Sequence, residues 1–147
     1  MKPVLLRLAV LILCGSTIAA SNAPERFVAT NGVPISIPLV RLDHDGLPVR
    51  TARYVDITVH RFAPSFKGPV QIVVTSKDGS KCTEIGRFGI YPERAFASGG
   101  PIEPMRFRLT LPAGVKIDRS KRLTLRILPA QGTGDGAMIE VEQGQFR

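Results

Sequence analysis

The sequence predicts an all-β chain, an antiparallel β-sandwich of about seven strands, behind a leader that is removed. Pro and Gly recur roughly every ten residues. Between them lie short segments that alternate apolar and polar side chains, the period of a strand with one buried face. Stretches with helical spacing are few.

The leader is residues 1–23. Lys2 and Arg7 give it a positive start, residues 8–13 are an unbroken apolar run, and residues 15–23 are rich in small side chains. That order predicts a secretory signal peptide. The run is too short to cross a bilayer, which takes roughly 20 residues, so no transmembrane segment is expected after cleavage. Leu13, ahead of Cys14, is not the small residue that lipoprotein processing prefers. The expected location is secreted or periplasmic, with residues 24–147 forming a single domain. Only Cys82 then remains, which excludes an internal disulfide. As a free thiol it is expected to be buried like a small apolar side chain.

Along the domain, residues 33–40 (VPISIPLV) contain Pro34 and Pro38 and suit an edge strand or extended arm. Asp43-His44-Asp45-Gly46 reads as a turn. In residues 53–61 (RYVDITVHR), Val55, Ile57 and Val59 share one face, while Tyr54, Asp56, Thr58 and His60 share the other, expected to be open. Residues 70–75 (VQIVVT) form the next strand, and Lys77-Asp78-Gly79 turns it towards a partner running through Cys82, Ile85, Phe88 and Ile90. A loop spans residues 91–104 around Gly99-Gly100-Pro101. Residues 105–111 (MRFRLTL) alternate cleanly, residues 115–121 connect through Asp118 with room for one helical turn, and residues 122–128 (RLTLRIL) alternate again. After a Gly-rich loop at 131–136, residues 138–142 (MIEVE) close the sheet. The expected core is Val55, Ile57, Val59, Ile72, Val74, Phe88, Ile90, Phe107, Leu109, Leu111, Leu123, Leu125, Ile127, Ile139 and Val141.

The formal charge is +8, and loss of Lys2 and Arg7 with no acid leaves +6. Such a surface favours acidic partners. Nucleic acid fits poorly, because basic runs are missing, aromatics are scarce and there is no Trp. His44 and His60 do not form a spaced ligand set, so no metal or other cofactor is expected. Cys82 has no adjacent His, and neither a nucleophile elbow nor a phosphate loop occurs. The domain therefore reads as non-enzymatic.

The most specific segment starts at Cys82. It runs Glu84-Ile85-Gly86-Arg87-Phe88-Gly89-Ile90-Tyr91-Pro92, then Arg106-Phe107-Arg108-Leu109, Leu123-Thr124-Leu125-Arg126-Ile127-Leu128-Pro129 and Met138-Ile139-Glu140-Val141-Glu142. This order resembles the C-terminal β-sandwich of plant-type polyphenol oxidases and tyrosinases, and Val55-Asp56-Ile57-Thr58-Val59 resembles an upstream strand of that family. The resemblance covers residues 54–146. Glu93 departs from it, since the family often carries His after the Tyr-Pro pair, and the copper-binding helices are missing. In that family the domain lies over a dicopper oxidase domain and obstructs its active site. The resemblance thus implies a free-standing lid or accessory domain that docks on a tyrosinase-like copper oxidase.

The contact expected on this reading is the 91–104 loop, with Tyr91, Arg94 and Phe96 presented to the partner. An alternative is an envelope module for anionic glycans or lipid headgroups. It would use Arg106, Arg108, Arg122 and Arg126, which line one sheet face if their two strands are neighbours. Processing gives the first testable prediction: the exported protein should begin between Ala20 and Pro24. Mass spectrometry that finds residues 1–23 intact, or a lipid on Cys14, would contradict it.

Overall fold

The computed structural model describes residues 24–41, 52–91, 93–99, 103–117 and 120–147. The leader, the 43–46 turn and Asp118 lie outside these. Among the described residues there are ten strands: β1 (Phe27–Thr30), β2 (Ile35–Arg41), β3 (Tyr54–Ala63), β4 (Val70–Asp78), β5 (Lys81–Phe88), β6 (Phe96–Ala97), β7 (Met105–Thr110), β8 (Arg122–Pro129), β9 (Met138–Val141) and β10 (Gly144–Phe146). No helix occurs among the described residues; of the segment where a helical turn was expected, residues 118–119 lie outside them.

The all-β class holds, but the count and pairing differ from the expected seven antiparallel strands. The three strands that periodicity missed, β1, β6 and β10, are four, two and three residues long. Alternation cannot show over so few positions. The strand order is β1-β9-β3-β10-β2-β8-β4-β5, with β6 and β7 also on β3. Every pair is antiparallel except β10 with β2, so the sheet is mixed.

The sheet folds into two layers, with β1, β9, β3, β6 and β7 on one side and β8, β4 and β5 on the other. Strand β2 joins them. Ile35 through Pro38 pair with β8 in one layer, and Leu39 through Arg41 pair with β10 in the other. Pro38 sits where one ladder ends and the next begins, which suits a residue without an N–H. Along the far side the layers meet through side chains. Phe88 of β5 stacks on Phe107 of β7 with centroids 4.1 Å apart and planes 17° apart. The hairpin foreseen at Lys77-Asp78-Gly79 forms, with Gly79 at φ 58°.

The core lies between the layers. Val55, Ile57 and Val59 face Ile72, Val74, Leu123, Leu125 and Ile127, with Ile139, Val141, Ile37 and Phe62 completing it; all are at most 1 % exposed. A bulge between Val59 and Arg61 shifts the β3 register by one residue, so the inward phase passes to Phe62. Phe88, Phe107 and Leu111 were expected inside but are only half-buried, because they sit along or beside the open side. Cys82 corrects another expectation. It is exposed, because β5 is the last strand of its layer and Cys82 stands opposite Lys77 on the outer phase.

Leu125 tests the strand phase. It is fully buried, with Ile35 and Val74 on the flanking strands. Leu125→Ala should cost about 2–5 kcal/mol by urea unfolding. A cost below about 0.5 kcal/mol would contradict this packing.

Candidate functional site

At one end of the sandwich the β1–β2, β3–β4, β5–β6 and β8–β9 connections gather. Asn31 N–H donates to the Ala137 carbonyl at 3.2 Å, and its Nδ2 donates to the Thr133 carbonyl at 3.0 Å. Phe66 N–H donates to the Asp135 carbonyl at 2.9 Å, and Ala130 N–H to the Pro69 carbonyl at 2.8 Å. Glu93 Oε1 accepts from the Val70 N–H at 3.1 Å. These bonds tie all four loops into one platform.

Two glycines allow the central loops to approach so closely. Gly68 and Gly132 have φ of 89° and 72°. A Cβ on Gly68 would lie 2.6 Å from the Gln131 carbonyl oxygen, and one on Gly132 would strike the Lys67 carbonyl. A side chain at either position would force the loops apart.

The platform carries the three most exposed large apolar side chains of the described residues: Tyr91 at 93 %, Phe66 at 85 % and Val33 at 60 %. Beside Tyr91 runs a groove of about 570 Å³ lined by Pro69, Val70, Ile90, Glu93 and Ala130. Arg94 is exposed nearby. Phe96 differs from its expected role. It is 7 % exposed, because β6 extends the β3 ladder and places Phe96 opposite Phe62, ring centroids 6.4 Å apart. Phe96 anchors the loop, while Tyr91 and Arg94 are presented by it. Phe66 was missed, since a single aromatic beside Lys67-Gly68-Pro69 carries no periodic signal.

The four arginines of the alternative reading do not come together. Arg106 and Arg108 stand on β7, beside β3, whereas Arg122 and Arg126 stand on β8, between β2 and β4 in the other layer. Arg108 is already engaged. Its Nε and Nη2 donate to the two carboxylate oxygens of Asp56 at 2.8 and 3.1 Å, and its guanidinium lies 5.7 Å from the Tyr54 ring centroid. Arg122 donates to the hydroxyl and carbonyl oxygens of Ser36 at 3.0 and 2.8 Å. Arg106 and Arg126 are exposed.

The outer face of β3, expected to be open, is open only at Tyr54 and closed beyond it. Asp56, Thr58 and His60 are 2 %, 6 % and 7 % exposed. Arg147 adds a third bond to Asp56, at 3.0 Å. His60 Nδ1 lies 2.9 Å from Ser98 Oγ and Nε2 lies 3.3 Å from Glu142 Oε2. In the tautomer whose Nε2–H donates to the Glu142 carboxylate, Nδ1 accepts a hydrogen bond from the Ser98 hydroxyl. The Ser98 N–H donates to the His60 carbonyl. That amide, which could otherwise stabilise an oxyanion beside the hydroxyl, is thus occupied. The arrangement ties the 91–104 loop to the sheet. Among the described residues no group of three or more His, Cys, Asp or Glu is placed to hold a metal ion. On the outer surface of β5, the Arg87 guanidinium donates to both Glu84 oxygens at 2.9 Å. That hydrogen bond, foremost, holds the Glu84 carboxyl below the usual carboxylate range.

Comparison with protein-family models, with curated proteins and with solved structures gives no match for this chain.

Asp56 yields a stability prediction. Removing one partner of a buried ion pair costs roughly 3–5 kcal/mol, but Arg108 and Arg147 are 49 % and 34 % exposed and can regain water. Asp56→Asn should therefore cost less, about 1–3 kcal/mol in urea unfolding. A neutral result would mean that the bidentate bond contributes nothing.

Proposed function

We propose that the protein is a non-enzymatic, secreted or periplasmic β-sandwich that docks on a partner protein through this loop platform. The observation that carries the reading is the platform itself: four loops, three joined by backbone bonds and the fourth by the Glu93 side chain, present Tyr91 and Phe66 almost fully to solvent. Rigid strands carrying outward loops are a common recognition design. Aromatic and Arg side chains dominate binding energy where they fill partner pockets.

The proposed partner class comes from the resemblance noted above: a tyrosinase-like dicopper oxidase, for which the domain would serve as lid or accessory. Tyr91 and Arg94 are the proposed contact residues, with Phe66 added to them and Phe96 in a supporting role. The envelope-module alternative lacks a single face to use, since its arginines divide between the two layers.

The test mixes the purified protein with a tyrosinase-like oxidase that lacks its own C-terminal sandwich. The protein alone should oxidise no phenols, and the mixture should show lowered or stabilised oxidase activity. Tyr91→Ala with Arg94→Ala should weaken that effect at least about tenfold, a loss typical of a dominant contact. The thermal midpoint should hardly move, because exposed loop side chains contribute little to stability. Phenol oxidation by the protein alone would overturn the reading.

A further inference from the structure

We infer that the opposite end of the sandwich binds a phosphate group, in a cleft between the two layers lined by Ser76, Thr83, Lys81 and Lys116. The inward phase of β4 is apolar at Ile72 and Val74, then turns polar at Ser76 and Asp78. Thr83 and Lys81 of β5 stand directly opposite these two, so all four side chains leave the hairpin on its inner side. There they line a cleft of about 250 Å³, whose other wall is the turn after β7, from Pro112 to Lys116. Val115 N–H donates to the Pro112 carbonyl at 3.1 Å and Gly114 takes φ 83°, which closes that turn.

Ser76 is the observation that points to a ligand. It lines the cleft at only 6 % exposure, yet among the described residues its hydroxyl has no hydrogen-bond partner. A buried hydroxyl left unbonded costs free energy that a ligand oxygen would offset. Among the described residues the Thr83 hydroxyl and the ammonium groups of Lys81 and Lys116 are also without a hydrogen bond or ion pair. Four donors on one cleft therefore await an acceptor.

The charge of this end is positive with its acids counted. Among the described residues that line the cleft Asp78 is the only carboxylate, and Lys121 Nζ donates to it at 2.7 Å. Residues 118 and 119, outside the described set, are an Asp and an Arg and cancel in charge. Lys81 and Lys116 then give the cleft its sign. Ammonium and hydroxyl donors reaching in from two walls suit a tetrahedral oxyanion, and Lys serves phosphate as a point charge. A planar carboxylate is best met by the fork of an Arg, and no Arg is among the described residues of the cleft. The volume falls below the range of drug-sized sites, roughly 300–1,000 Å³. A phosphate monoester of a small alcohol fits, its carbon part against Pro112, Ala113 and Val115. This end is remote from Tyr91 and Phe66, so the inference does not rest on the docking reading.

Calorimetric titration of the purified protein with phenyl phosphate, inorganic phosphate and benzoate tests this, with the phosphorus resonance of the two phosphates as a second signal. Phenyl phosphate should saturate one site, bind more tightly than inorganic phosphate, and exceed benzoate at least about tenfold. Lys81→Ala and Lys116→Ala should each weaken it at least about tenfold, the loss expected for a charge-assisted hydrogen bond. Ser76→Ala should weaken it about three- to tenfold with no fall in the thermal midpoint, since the hydroxyl removed bonds to no protein group. Lys77 stands opposite Cys82 on the outer phase, so Lys77→Ala removes the same charge from the same end and should leave binding unchanged. Absence of a saturable signal by both methods, equal binding of benzoate, or a loss with Lys77→Ala as large as with Lys81→Ala would overturn the inference. Inorganic phosphate binding as tightly as phenyl phosphate would overturn the monoester and assign the cleft to the free ion.

Discussion

Strand β3 is paired along both sides. Residues 54–59 meet β7 and residues 61–62 meet β6, while β10 and β9 take up the opposite side. A strand flanked so completely sits in the middle of its layer, and its alternating side chains divide between the core and an outer face crowded by neighbours. The inner set, Val55, Ile57 and Val59, needs only apolar company. The outer set, Asp56, Thr58 and His60, is buried almost as deeply and needs partners, because an unsatisfied buried polar group is costly. Arg108 and Arg147 meet that need for Asp56, and Ser98 and Glu142 meet it for His60. Thr58 Oγ1 has no bonding partner among the described residues. The polar face of one strand thereby draws β7, the 91–104 loop, β10 and the stretch after β9 to common positions.

Much of the layer structure was legible from alternation. Val55, Ile57 and Val59, Ile72 and Val74, and Leu123, Leu125 and Ile127 all lie inside as their period required, while Val73, out of phase with them, is buried as well. What was hidden is non-local. Asp56 finds its partners 52 and 91 residues away and His60 finds its own 38 and 82 residues away. Window-based reading of the sequence cannot see such pairs. It gives Tyr54, Asp56, Thr58 and His60 an open face because their residue types are polar. Strand β6 was hidden by its length, and with it the inward turn of Phe96.

The candidate surface was half legible. A Pro- and Gly-rich stretch around Tyr91 marks a loop, and loops carry contacts. That Phe66 belongs to the same surface follows only from the approach of the β3–β4 and β8–β9 loops, which Gly68 and Gly132 permit. Their backbone bonds give the end a fixed shape, so contact residues 25 positions apart act together on any partner that touches both.

The union of the two layers also bears on how the chain reaches its native state. The bridge depends on β10, which follows every other strand in the chain yet lies between β3 and β2. Its partners begin at Leu39 and Val55, about a hundred residues earlier. Until residue 146 is free to join, the early strands cannot complete their ladder, however long they have been available. Contacts of such sequence separation slow folding, because the entropy of closing the loop is lost before the contact is gained. The bridge between the layers is therefore among the contacts of longest sequence separation in the fold, and it closes only when residues 144–146 reach β2 and β3.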